Sequence, residues 1–461
     1  MFMQNRLLWL ILLSLSGCAV GPDYRRPAVE TPAAFKELQG WKIAEPQDLA
    51  PRGNWWEIYH DAVLNSLVSQ VAVSNQNVLA AAAQYRQAAA LLDAARAGFW
   101  PTVSGSVAST GSQYASTQFA ATGVNTLDRV ALNASWEMDV WGRIRRTVEA
   151  SRASAAASAA DLRAAVLSSQ ATLVQSYLQL RVVDAQSAML AQTVQAYQES
   201  LQITQNLYQA GTVSNLDVVQ ATTQLKTTQA QLIDLGVQRA QLEHAIALLM
   251  GKAPANFSLA VTNVVPPVPD IPVSVPSALL EQRPDIAAAE RLMAAANAQI
   301  GVAQAAFYPS LLLNASGGYQ GGSFANLISV PNQFWSLGPS LAVTLFDGGL
   351  LRAQKAQALA GYDYSVANYR QTVLTGFQEV EDNLAAMRIL GQELTVQEEA
   401  AKSANIALQI TNNQYQAGTV SYLNVVTAQV TALNADNSDL AIQGRDLVAS
   451  VGLLKALGGS W

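Results

Sequence analysis

The chain is short of the residues that carry out chemistry. Among 461 residues there are two histidines and one cysteine. His60 and His244 are far apart and lack metal-ligand spacing. The carboxylates form no recognised pair, and no Gly-x-Ser-x-Gly elbow occurs. These absences argue against an enzyme and against a resident metal or cofactor. Charge is scarce as well, at 13% of residues, about half the usual share. Lys and Arg number 27 against 33 Asp and Glu, a net charge of −6. Nucleic-acid binders normally carry a basic surplus, so no nucleic-acid partner is expected. Past the first few residues no apolar run reaches the roughly 18 needed for a membrane-spanning helix.

Apolar residues nonetheless make up 50% of the chain. Such a composition implies either a large core or contact with lipid through strands. Arg6 precedes the apolar run Leu7 to Leu15, which is too short to cross a bilayer and reads as an export signal over residues 1–17. The run ends in Leu15-Ser16-Gly17-Cys18, which resembles a bacterial lipobox. In that setting Cys18 becomes the acylated N-terminus, which accounts for one unpaired cysteine in an exported chain. Ala19 follows, rather than the Asp that tends to retain such lipoproteins in the inner membrane, so delivery to the outer membrane is expected. The covalent lipid on Cys18 would be the only attached group, holding the N-terminus by burying methylenes.

The rest is a duplication. Tyr208-Gln209-Ala210-Gly211-Thr212-Val213-Ser214-Asn215-Leu216-Asp217-Val218-Val219 recurs from Tyr415 to Val426 with ten of twelve positions identical, 207 residues later. Phe99-Trp100-Pro101 recurs as Phe307-Tyr308-Pro309, and Gly142 to Arg145 aligns with Gly349 to Arg352. Two copies mark a duplication and not a solenoid, which would use shorter, more numerous repeats. The boundaries read 18–60 for a lipidated N-terminal segment, 61–250 for the first repeat, 251–283 for a Pro-rich connection and 284–461 for the second repeat.

Each repeat changes period midway. Val130, Leu132, Ala134, Trp136, Met138 and Val140 alternate with Ala131, Asn133, Ser135, Glu137 and Asp139. That is a strand with one apolar and one polar face. Two strands per repeat are predicted, near 102–117, 126–140, 310–321 and 333–346. Their length and apolar-out alternation suit an outer-membrane barrel, and Trp100, Tyr114, Trp136, Trp141, Tyr319 and Trp335 lie where such barrels carry aromatic girdles. Four strands cannot close a membrane barrel, whose smallest form has eight. Strands must therefore come from several chains: two would give eight and a filled interior, three would give twelve and a lumen.

Residues 143–210 contain neither Pro nor Gly, and 350–417 contain no Pro. Each run predicts a helix of roughly 100 Å at 1.5 Å per residue. Val366, Tyr369, Val373, Val380, Leu384, Met387 and Leu394 form a heptad seam. Gly211 and Gly418 would end these helices, with further helices near 215–250 and 422–457. The repeated motif is then the turn of a long hairpin. Shorter helices, near 61–98 and 284–307, would lead into each strand pair.

These features together resemble the TolC superfamily of outer-membrane efflux proteins, in its lipoprotein subgroup. The resemblance rests on Gly21-Pro22-Asp23-Tyr24, on Asn54-Trp55-Trp56 with Asp61 and Leu64, and on Arg283-Pro284-Asp285-Ile286 with Glu290. It extends to Ala306-Phe307-Tyr308-Pro309, Phe346-Asp347-Gly348-Gly349 and both Tyr-x-x-Gly turns. It implies an α+β fold: a trimeric 12-stranded transmembrane β-barrel, four strands per chain, continued by a long periplasmic α-helical barrel. It also implies a passive duct without catalysis. The implied partners are two further copies, a periplasmic adaptor, an inner-membrane RND-type transporter and outer-membrane lipid. The adaptor would dock at the hairpin turns, at Gly211, Thr212, Gly418 and Thr419. A periplasmic gate would involve Asp217 and Tyr415, with Asn424 where the best-known member has an Asp. Each of these also has a plain structural reading, Asp217 as a helix-start residue and Tyr415 as packing. The same fold also serves type I protein secretion, and a pore-free helical scaffold lipoprotein is a third reading that the amphipathic strands oppose.

Overall fold

In the computed structural model, residues 19–28, 36, 54–113, 124–271 and 282–459 are described. The signal segment, Cys18 and Tyr114 lie outside them. A short 3₁₀ turn, Trp55–Tyr59, is followed by α1 (Ala62–Ser74), α2 (Gln76–Ala97), β1 (Thr102–Ser112) and β2 (Asn125–Met138). The long α3 (Arg143–Gln209) and α4 (Asn215–Leu249) complete the first repeat. The second repeat runs α5 (Pro284–Ala305), β3 (Ser310–Gly321), β4 (Gln333–Ala342), α6 (Leu350–Gln416) and α7 (Tyr422–Ala456). The two long helices have 67 residues each and the two return helices 35 each, so the duplication holds at the level of elements.

Three boundaries differ from expectation. β1, β2 and β4 end at Ser112, Met138 and Ala342, earlier than their periodicity suggests. β2 stops because Asp139 turns its carboxylate to the first amides of α3, accepting from Ile144 N at 2.8 Å and Arg145 N at 2.9 Å. Asp347 does the same for α6, accepting from Gly349 N and Leu351 N at 2.8 Å. A carboxylate at a helix start satisfies otherwise orphaned donors and complements the dipole. The helix foreseen over 61–98 is two helices. Asn75 is extended between them, accepts from Asn77 N and Val78 N, and donates to Leu249 O.

The chain divides into two compact units, each drawing segments from both repeats. The first contains all four strands, in the order β1-β2-β3-β4, every pair antiparallel. Gly318 lets β3 approach β2, since a Cβ there would meet Val130 O at 2.1 Å. The segment 19–28 is fastened in this unit. Arg146 donates to Val20 O, Gly21 O and Asp23 Oδ1, and Asn297 donates to Pro22 O. Gly21 has φ +114°, and a Cβ there would meet Gly301 Cα at 2.6 Å.

The second unit holds the large helical core. Trp55, Trp56, Leu64, Leu173, Leu178, Val380, Leu384 and Leu454 belong to one buried cluster. Five of the seven seam residues along α6 are buried: Tyr369 in the first unit, and Val373, Val380, Leu384 and Met387 in the second. Asp61 caps α1 through Val63 N and Leu64 N and accepts the Tyr177 hydroxyl at 2.6 Å. The connection after α4 is held by a buried ionic group. Asp184 pairs with Arg181 at 3.0 Å and Arg239 at 2.8 Å, and Arg239 donates to Leu259 O. Arg283 is buried and pairs with Asp285 and Glu379, both at 2.7 Å, while donating to Ala456 O.

Candidate functional site

The sheet has two chemically distinct faces. Register puts Val103, Gly105 and Val107 beside Ala134, Leu132 and Val130. Those lie beside Ala315, Gly317 and Tyr319, which in turn oppose Leu337, Trp335 and Gln333. This face is apolar and uncovered, with Val107 70% and Trp335 78% exposed. Exposed apolar surface on this scale marks contact with a partner or a membrane.

The other face is polar and laced across the strands. Asn133 Nδ2 donates to Ser106 Oγ at 3.2 Å, and Ser135 Oγ donates to Asn314 Oδ1 at 3.0 Å. Asn314 Nδ2 donates to Ser340 Oγ at 3.3 Å, and Ser316 and Ser336 share a bond of 2.8 Å. Neutral hydroxyls and amides that satisfy one another make this ladder wettable, and the same face carries Arg129, over the Phe334 ring, and Glu137, paired with Arg143. β1 and β4 each pair along one side only among the described residues. Their outer edges therefore carry free backbone donors and acceptors, and a long, flat, apolar edge is a template for another strand.

Of the expected aromatic girdle, Trp100 and Trp335 are exposed. Trp136 Nε1 donates to Phe99 O, while Trp141 stacks on Tyr308 at 4.8 Å and donates to Pro309 O. Trp141 thus ties a strand end to the start of β3.

The two hairpin turns are near copies. Gly211 has φ +72° and Gly418 φ +73°, the left-handed conformation that favours glycine. Thr212 N donates to Leu207 O and Gly211 N to Tyr208 O; Thr419 N donates to Gln414 O and Gly418 N to Tyr415 O. This paired pattern satisfies the last carbonyls of α3 and α6. The Thr212 and Thr419 hydroxyls donate to those same Leu207 and Gln414 carbonyls. Both turns are exposed.

Around the turns the repeats diverge. Tyr208 is 46% exposed, whereas its counterpart Tyr415 is buried, edge-to-face against Tyr422 at 5.1 Å. The pair packs with Ala221 and Val425. Tyr422 shares a bond with Ser200 Oγ, and Tyr197 donates to Gln429 O. These contacts fasten α7 to α3. Burial pushes the Tyr415 phenol above its ordinary range, and the negative Asp217 pushes it the same way. Asp217 is half-buried and Asn424 exposed. The structure brings Asp217 into the electrostatic reach of Tyr415 and Tyr422. Its recorded side-chain contact is Ser214 Oγ, at 3.5 Å. The Asn424 amide donates to Ser421 O, an ordinary helix-start bond. Sequence reasoning missed Tyr422, Tyr197 and Ser200. One signal was available: Asn215 and Tyr422 occupy one of the two positions at which the repeated dodecapeptides differ.

Among the described residues no group of three or more His, Cys, Asp or Glu is arranged to hold a metal, and no helix is long and apolar enough to cross a membrane. The latter says nothing about spanning by strands.

Comparison with known proteins agrees with this geometry. The solvent efflux pump outer membrane protein SrpC of Pseudomonas putida is 31% identical over 458 residues, covering 98% of this chain and 97% of that protein. The cation efflux system protein CusC of Escherichia coli is 29% identical over 458 residues, with coverages of 98% and 97%. The solved structure of the outer-membrane channel OprN matches with a TM-score of 0.90 at 29% identity, over 96% of this chain and 100% of that one. A family model described as outer membrane efflux protein matches residues 67–252 and 275–459, and the chain belongs to that family.

Proposed function

We propose that this protein is the passive outer-membrane exit duct of a tripartite efflux pump and works as a homotrimer. The observation that carries the reading is the four-stranded sheet with one apolar face, one polar face and two unpaired edges. In hydrocarbon an unpaired backbone group costs several kcal/mol, so the edges must be closed by further strands. Joining β1 of one copy to β4 of the next closes a barrel with Val107 and Trp335 toward lipid. The Ser and Asn ladder then faces water. Three copies give twelve strands, wide enough for a water-filled lumen, whereas two give eight, whose interior side chains would fill.

No reacting group is assigned, because transport here needs only a wetted path. A periplasmic adaptor docks on the exposed turns at Gly211, Thr212, Gly418 and Thr419. An RND-type inner-membrane transporter supplies the energy and the cargo. SrpC is named for solvents and CusC for cations; for this chain the cargo class is a toxic small molecule. Cys18 carries the lipid anchor; the described residues Val20, Gly21 and Asp23 are held by Arg146 in the first turn of α3. Asp217, Tyr415 and Asn424 mark the periplasmic gate, where the α3–α7 ties must loosen for the tip to open, a two-state change of helix packing.

The test is the native mass of detergent-extracted protein, with radiolabelled palmitate incorporation compared against Cys18→Ser. A mass of three chains with single-channel conductance supports the duct. A monomer without conductance overturns it, because four strands would be left with open edges.

A further inference from the structure

A cavity of about 750 Å³ lies among α3, α4, α6 and α7 of one chain. Its floor is apolar and buried: Val182 and Val183 from α3, Leu390 from α6 and Ala449 from α7. Its rim carries the carboxamides of Gln179, Gln238 and Gln241, which have no protein partner among the described residues. Small residues keep it open. Gly444 lets α7 approach α3, since a Cβ there would sit 3.3 Å from both Val182 methyls, and Ala441 adds no bulk at the rim. The charged lining residue, Arg445, is 3.6 Å from Glu393 and so already partnered.

We propose that this cavity binds an uncharged, amphipathic small molecule with an apolar body and a hydrogen-bond acceptor. Three features select that class. The volume falls within the range of about 300–1,000 Å³ that suits such ligands, and an apolar lining with a few convergent polar groups is their usual setting. The exposed carboxamides at the rim can donate their N–H groups to an acceptor such as a carbonyl or ether oxygen. A charged ligand would lose hydration over the apolar floor with no free counter-charge to replace it. The site is built from the helices of the second unit and includes no residue of the turns, so it goes beyond the exit-duct reading and stands apart from the gate.

Benzophenone provides the probe, being neutral, photoreactive, apolar in its rings and a carbonyl acceptor. The intact protein in lipid nanodiscs is photolabelled over a concentration series and read by peptide mass spectrometry. Saturable adducts are expected on 179–183, 238–242 and 441–449, with non-saturable labelling of the lipid-facing strands as an internal control. Ala441→Trp, at an exposed rim position, should lower the cavity adducts about tenfold or more and leave strand labelling unchanged. Gln241→Glu should lower them without adding bulk. Non-saturable cavity labelling, or full labelling of Ala441→Trp, overturns the proposal. So do cavity adducts that appear only after the oligomer is dissociated, because a second copy would then occupy the hollow in the intact protein. Conductance measured on the same preparation reports the duct reading separately: a conducting sample without cavity adducts defeats this inference alone.

Discussion

Asp446 offers a sharp test of the helical core. It lies on α7, is 6% exposed, and its Oδ1 finds no partner among the described residues. Burial alone pushes its carboxyl up from 3.8 to about 6. Desolvation disfavours the charged form, so the folded state takes up a proton more readily than the unfolded chain. The stability cost of the ionised group is therefore absent well below pH 3.8 and complete above about pH 6. A shift of about two units is worth about 3 kcal/mol at pH 7.5, by 1.36 kcal/mol per unit. At pH 4.5 the same two values leave about 1 kcal/mol. Asp446→Asn removes the titration while keeping the shape. Its buried amide carries its own desolvation cost of about 1–3 kcal/mol, but that cost does not vary with pH. The stability of the variant relative to the parent should thus fall by about 2 kcal/mol between pH 7.5 and 4.5. Denaturant unfolding at both pH values measures this, and taking the difference between proteins cancels the other carboxylates. A variant whose stability relative to the parent stays constant, or rises as the pH falls, would show that Asp446 is hydrated in the folded state and refute the reasoning.

Two further substitutions probe the sheet and the core. Gly318→Val should prevent β3 from pairing with β2, because its Cβ would have to lie 2.1 Å from Val130 O. Loss of the detergent-resistant oligomer band on a gel checks it, and an intact band would mean that the strands can shift apart. Asp61→Ala should destabilise the second unit by about 1–3 kcal/mol, since it removes the α1 cap and leaves the Tyr177 hydroxyl without its acceptor. Burial first, then the bond to Asp61, pushes that phenol up to about 12. Tyrosine absorbance in the variant should therefore show one phenol titrating earlier, while Asp61→Asn, which keeps an acceptor, restores much of the stability.

Much of the fold was legible because the signals were periodic. Strand alternation around Leu132 and the heptad seam through Val380 are direct prints of which face is buried. A duplication of ten in twelve residues needs no structure to interpret. The ends of elements were less legible, because they depend on single side chains rather than on period. β2 ends at Met138 because Asp139 leaves the strand to cap α3, yet the alternation of residue types continues to Val140. Asn75 resembles any polar residue on an exposed helix face until its bonds to Val78 N and Leu249 O are seen. The tip was half legible. Gly211 and Gly418 declare themselves by composition, whereas the burial of Tyr415 depends on Tyr422, Ser200 and Ala221, which sequence does not bring together.

The duplication explains how the tip became asymmetric. Backbone-determined features were retained in both copies: the left-handed glycine, the threonine that bonds the helix end, and the acidic cap before each long helix at Asp139 and Asp347. Side-chain packing was free to diverge, because a glycine turn works whether Tyr208 faces solvent or Tyr415 faces protein. Replacing the first repeat's Asn215 by Tyr422 in the second supplies a ring against which Tyr415 packs. Here the second hairpin holds the aromatic pair and bonds to α3 through Tyr422–Ser200 and Tyr197–Gln429. These ties join the two hairpins of one chain, while both turns keep the same pair of closing bonds. The identical turns thus set where the hairpins end, and the exchange of Asn215 for Tyr422 sets which hairpin carries the aromatic pair.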